Sequence, residues 1–210
     1  MKNGFDIDNP FFAFMGAMAD ILIVNILFLI TSVPIITIGA STSAMYETMR
    51  KMREGKLAST CKFFIGAFRK SFRKSIPAWM IQLVTGAVLL FDLIYVSGVQ
   101  ITTFWNVAGM AIGCMLLLWM MVACFLIPAA VYKERNIKSA LSESLYLSVR
   151  NFPYTVVMIM IDSIPIVCLL LGEYFIGLVT PVYLTVGFGT TAYLNTLILE
   201  KCKGMIHVQV

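Results

Sequence analysis

The sequence predicts an all-α, polytopic membrane protein. Five transmembrane helices form a single domain over residues 1–210, with amphipathic cytoplasmic-side helices in the two basic loops. Three observations carry this. The chain is 60% hydrophobic and 13% charged, where soluble domains lie nearer half and a quarter, and its mean hydropathy is +0.88. The apolar residues gather in five runs, most near the ~20 residues a helix needs to cross hydrocarbon. The basic residues fall almost entirely in alternate loops.

The first run opens after MKNGFDIDNPFF, which lacks the basic n-region of a cleaved leader, so it is expected to remain as a membrane helix. The expected spans are about 18–38, 76–97, 104–131, 154–171 and 174–199. Cytoplasmic loops then cover 39–75 and 132–153. Barrel strands would be shorter and would alternate in polarity.

Charge sets the expected orientation. Fifteen of the 16 Lys and Arg residues lie between the first two spans, between the third and fourth, or after the fifth. The opposite loops, Gly98 to Thr103 and Gly172 to Glu173, hold none. The positive-inside rule places the N-terminus outside and the C-terminus in the cytoplasm. The net charge of +5 is therefore a topology signal, and no soluble domain presents it to nucleic acid.

Both basic loops contain amphipathic stretches. In Leu57 to Ser75 the residues Leu57, Cys61, Phe64, Phe68 and Phe72 recur at helical spacing, with Lys62, Arg69, Lys70, Arg73 and Lys74 opposite. Such a helix suits the anionic lipid headgroups of an inner leaflet, or packs under the bundle with its basic face solvated. From Ile137 to Phe152 the expected apolar face is Ile137, Leu141, Leu145, Ser148 and Phe152. Each stretch ends at a proline opening the next span, Pro77 and Pro153. The local match of SFRKSIP with SVRNFP hints at a duplicated unit.

Carboxylates inside apolar runs are costly. Asp20 begins the first span near the outer interface, a favourable helix N-terminus. Asp92 lies in the outer third of the second span, and Asp162 near the centre of the fourth. With Pro165 three residues on, Asp162 either caps a broken half-helix or faces a polar cavity that takes a cation, a proton or a sugar hydroxyl. Asp92, Thr190 and Thr191 are the other candidates to line such an intramembrane polar site.

Small residues mark helix contacts. Ser32 to Tyr46 reads SVPIITIGASTSAMY, and Thr180 to Leu194 echoes it as TPVYLTVGFGTTAYL. Pro34, Gly39, Ser41, Thr42, Gly187 and Gly189 are expected to pack the first helix closely against the fifth. Gly109 and Gly113 form a GxxxG on the third span, suited to packing within the bundle or to a homo-oligomer.

No catalytic set assembles. His207 is the only histidine, the five cysteines show no CxxC, and no Lys follows Gly187-Phe188-Gly189 as a phosphate-binding loop requires. The expectation is a non-enzyme without metal or cofactor.

Asn9-Pro10-Phe11-Phe12, Ala19-Asp20 and Asn25 lead into Ser32-Val33-Pro34-Ile35-Ile36-Thr37-Ile38-Gly39-Ala40-Ser41-Thr42. Together with Phe68-Arg69-Lys70-Ser71-Phe72 and Pro77, this resembles the YesL-like family of bacterial integral membrane proteins. The resemblance implies a plasma-membrane location but no established activity and no transferable site residues. It also implies an association with sugar ABC transporters, their sensor kinases and polysaccharide-degrading enzymes. The expected function is an accessory component of carbohydrate or oligosaccharide uptake or sensing. The alternative is a small-solute or ion transporter or channel acting as an oligomer, its path lined by Asp162, Asp92 and the Thr180–Thr191 region.

Overall fold

The computed structural model describes residues 10–55, 57–98, 103–132, 137–170 and 173–207, and these are helical almost throughout. The elements are α1 (Pro10–Ser32), α2 (Ile38–Arg53), α3 (Thr60–Gly98), α4 (Thr103–Tyr132), α5 (Ile137–Arg150), α6 (Phe152–Leu170), α7 (Glu173–Val182) and α8 (Phe188–His207). A 3-10 turn, Ile35–Thr37, precedes α2, and a π turn, Tyr183–Gly187, joins α7 to α8.

Among the described residues, four helical segments are long and apolar enough to cross a membrane: Phe14–Ser32, Thr60–Val96, Val107–Ile127 and Val179–Cys202. The fourth expected span appears as the shorter apolar stretch Phe152–Pro165.

The first expected span ends early. Pro34 adopts extended backbone (φ −77°, ψ 123°), and the Pro34 carbonyl accepts hydrogen bonds from the Thr37 N–H at 2.9 Å and the Thr37 hydroxyl at 2.7 Å. Thr37 Oγ1 also lies 2.6 Å from the Thr31 carbonyl, tying the two sides of the turn. The chain then folds back. A straight continuation from Asp20 to Arg53 would be roughly 50 Å long, and the seven residues from Arg53 to Thr60 reach at most about 25 Å. Yet Thr60 Oγ1 lies 2.5 Å from Asp20 Oδ1. α2 therefore lies beside α1, and Ile21, Val24 and Phe28 share one apolar cluster with Ala44, Met45 and Met49.

The segment 39–53, expected to be loop, is thus the most enclosed helix of the described fold. Gly39, Ala40, Ser41, Ser43, Ala44, Met45, Tyr46, Thr48 and Met49 are all buried. The physical reason is size: small and hydroxylic residues let α3, α4 and α8 approach α2 closely. A Cβ on Gly39 would fall 2.4 Å from Trp79 Cβ. Beside it, the hydroxyls of Ser43 and Ser75 share a buried hydrogen bond of 2.6 Å.

The expected surface helix and second span fuse into α3, 39 residues long and roughly 58 Å end to end, with Pro77 inside it. One stripe is buried along it: Thr60, Phe64, Ala67, Ser71, Ser75, Ala78, Gln82 and Gly86. The expected aromatic face is corrected accordingly, because Cys61 and Phe72 are exposed while Ser71 and Ser75 turn inward. Lys62, Arg69, Lys70, Arg73 and Lys74 do share the exposed side.

α5 shows the same inversion. Leu141, Leu145 and Phe152 are exposed, whereas Ser144, Leu147 and Ser148 are buried. Here the helix does break before Pro153. Thr155 Oγ1 donates to the Ser148 carbonyl at 2.9 Å across the joint, and Asn151 Nδ2 to the Leu147 carbonyl at 3.2 Å. Lipid solvates apolar side chains as well as a core does, so close packing and hydrogen bonding choose the inner face. Only 11% of the apolar window of α3 is buried within the chain, while Asn25, Ser41, Thr48, Thr155, Asn195 and Thr196 are buried.

Candidate functional site: an aromatic cleft around Asp162

α1, α2, α3, α4, α6 and α8 enclose a cleft of about 440 Å³, within the ~300–1,000 Å³ typical of small-molecule sites. Its rings are Phe28, Tyr46, Trp79, Trp119 and Phe188; its polar side chains include Thr42, Cys124, Asp162 and Thr191.

Each wall is held from behind. Trp79 Nε1 donates to the Ile35 carbonyl at 2.8 Å, pinning α3 to the 3-10 turn. Trp119 Nε1 donates to Thr85 Oγ1 at 3.0 Å and the Gln82 carbonyl at 3.2 Å. The Trp119 ring rests where Gly86 lacks a side chain, since a Cβ there would lie 2.4 Å from Trp119 Cζ2. Phe28 and Phe188 pack with ring centroids 5.4 Å apart. With their N–H edges engaged, both indoles offer the cleft mainly apolar surface.

Asp162 is exposed to this cleft rather than sealed in the bundle. Asn195 Nδ2 donates to its Oδ1 at 2.8 Å, and the Cys124 thiol to its Oδ2 at 3.9 Å. Asn195 Nδ2 also reaches the Tyr46 hydroxyl at 3.2 Å, linking α2, α6 and α8. α6 continues through Pro165, so the capping role open to Asp162 is corrected: its carboxylate serves partners on α4 and α8. Ser163 Oγ donates to the Ile159 carbonyl in the same turn.

Thr191 joins Asp162 at the cleft, with its hydroxyl donating to the Phe188 carbonyl at 2.9 Å. Thr190 does not line it; its hydroxyl bonds the Val186 and Gly187 carbonyls. Asp92 is half-buried on α3, 13 residues beyond Trp79 and so about 20 Å along the helix, and it plays no part in the cleft.

The two small-residue stretches meet through the cleft, at Thr42 and Thr191, but their glycines serve different neighbours. Gly39 packs against α3, not α8. Gly189 packs against α1, where a Cβ would lie 2.9 Å from Ile21 Cγ2 and 3.0 Å from the Ile21 carbonyl oxygen. Gly187 accommodates the Tyr183 ring of its own π turn. Ser41 is buried and donates to the Thr37 carbonyl at 3.0 Å. In the GxxxG, Gly109 faces Val96 at ordinary contact distance and Gly113 meets nothing within 4 Å.

Sequence reasoning missed Tyr46, Trp79, Gly86, Trp119 and Asn195. The cost argument applied to carboxylates also applies to buried amides, and would have drawn attention to Asn25, Gln82 and Asn195.

Fold and site together define a helical membrane protein with an aromatic cleft that the Asp162 carboxylate lines. Residues 21–93, from α1 through most of α3, are similar to a family described as a protein of unknown function, DUF624. Comparison with curated proteins and with solved structures returned no match.

Proposed function

We propose that this protein is a non-enzymatic component of solute uptake or sensing in the bacterial plasma membrane, and that its bundle holds a small organic solute beside Asp162. The observation behind this reading is the cleft: about 440 Å³, lined by aromatic rings and by the Asp162 carboxylate. The YesL-like resemblance directs the reading toward carbohydrate or oligosaccharide systems, with a sugar ABC transporter or sensor kinase as partner. In this reading α6 completes a fifth crossing, the N-terminus lies outside and the C-terminus in the cytoplasm. The exposed Lys62, Arg69, Lys70, Arg73 and Lys74 then meet anionic lipid headgroups.

A second reading, a transporter acting as an oligomer, draws on the α7–α8 helix. A π turn follows Pro181 in it, just before Phe188 and Thr191, and such single π turns within helices are frequent at functional sites.

Mild detergent extraction followed by identification of co-purifying chains tests the two. A stoichiometric permease or ATPase is the expected result. A homo-oligomer that alone moves solute into liposomes would overturn the accessory role and establish the second reading.

A further inference from the structure

Resting on the reading that the cleft holds a solute, we infer that its ligand is a small organic ammonium ion, with the cationic head against Asp162 and the flanks against Tyr46, Trp79 and Trp119. Charge is the first argument. Among the described residues, Asp162 is the one formally charged residue lining the cleft, and no described Lys, Arg or His lines it. Neither the Lys51–Glu54 nor the Arg53–Glu200 ion pair involves it. Asn195 and Cys124 orient the carboxylate but carry no positive charge. An unpaired carboxylate among apolar helices is costly, and a bound cation offsets part of that cost.

The hydrogen-bond inventory is the second argument. Thr42 donates to the Ile38 carbonyl at 2.8 Å and Thr191 to the Phe188 carbonyl, while Trp79 spends its N–H on the Ile35 carbonyl and Trp119 on Thr85 Oγ1 and the Gln82 carbonyl. Little donor capacity remains for a neutral sugar with many hydroxyls. The strong open group is a carboxylate in a cleft that five aromatic side chains also line, and carboxylate and aromatic surface together are what alkylammonium ions bind. A hard metal cation fits poorly, because it takes six or more oxygens and the described residues gather no cluster of three metal-ligating side chains.

The test titrates the purified protein in nanodiscs with choline while tryptophan emission is read. Its neutral isostere 3,3-dimethylbutan-1-ol, glucose and maltose run in parallel. Choline should saturate the change and bind about tenfold or more tighter than the isostere, a preference that Asp162→Asn abolishes and Asp162→Glu largely retains. The choline-to-isostere ratio stands in the unmutated protein even if a variant misfolds. Equal binding of choline and isostere would overturn the inference and leave the solute reading intact, as would saturable binding of a sugar but not choline. Silence from every probe would overturn both.

Discussion

Asn25 and Gly189 lock α1 to α8: Asn25 Oδ1 accepts the Gly189 N–H at 2.8 Å. The other end of the same amide, Nδ2, donates to the Leu184 carbonyl at 2.7 Å. A π turn leaves backbone groups off the regular ladder, and here one buried side chain satisfies both a donor and an acceptor across it. Gly189 permits the approach because a Cβ would collide with Ile21.

Asn25→Leu should therefore destabilise the fold by about 2 kcal/mol or more, since it strands two backbone groups where no water replaces the amide. Unfolding in mixed micelles measures it. An unchanged midpoint would show that the π turn satisfies itself.

Gly39→Val should cost about 1–3 kcal/mol by overpacking the seat of Trp79. The indole must move, so a blue- or red-shifted tryptophan emission should accompany the loss. Stability and emission both equal to the unmutated protein would contradict the close α2–α3 contact.

The Ser43–Ser75 bond predicts a measurable coupling. In a cycle of Ser43→Ala, Ser75→Ala and the double variant, the coupling energy should be about 0.6 kcal/mol, the scale of such bonds within membranes. Strict additivity would place the two hydroxyls with other partners.

Replacing Lys62, Arg69, Lys70, Arg73 and Lys74, all exposed, by Gln should deplete co-purifying anionic lipid. Each charge contributes on the order of 1 kcal/mol to such attraction. Lipid mass spectrometry reads the outcome, and an unchanged anionic fraction would assign this face to solvent alone.

Orientation has a direct check in a cysteine-free background. Gly98→Cys should react with an impermeant maleimide in intact cells, and Lys70→Cys only after permeabilisation. The reverse pattern would invert the topology.

The sequence by itself determined the membrane class, most helix positions, and the candidacy of Asp162 and Thr191. These follow from run length, hydropathy and the local cost of a buried charge, all properties of neighbouring residues. Tertiary structure decided the rest: the fold-back at Pro34, the enclosure of α2, the serine faces of α3 and α5, and the joining of Asp162 to Asn195 and Tyr46 from distant parts of the chain. Asp92 and Thr190 had the same local credentials as Asp162 and Thr191, yet helix direction and rotation kept them from the cleft. In water an apolar face announces which side of a helix goes inward. In lipid both sides are tolerated, so the inner face is chosen by fit and hydrogen bonding between helices, which no single helix records.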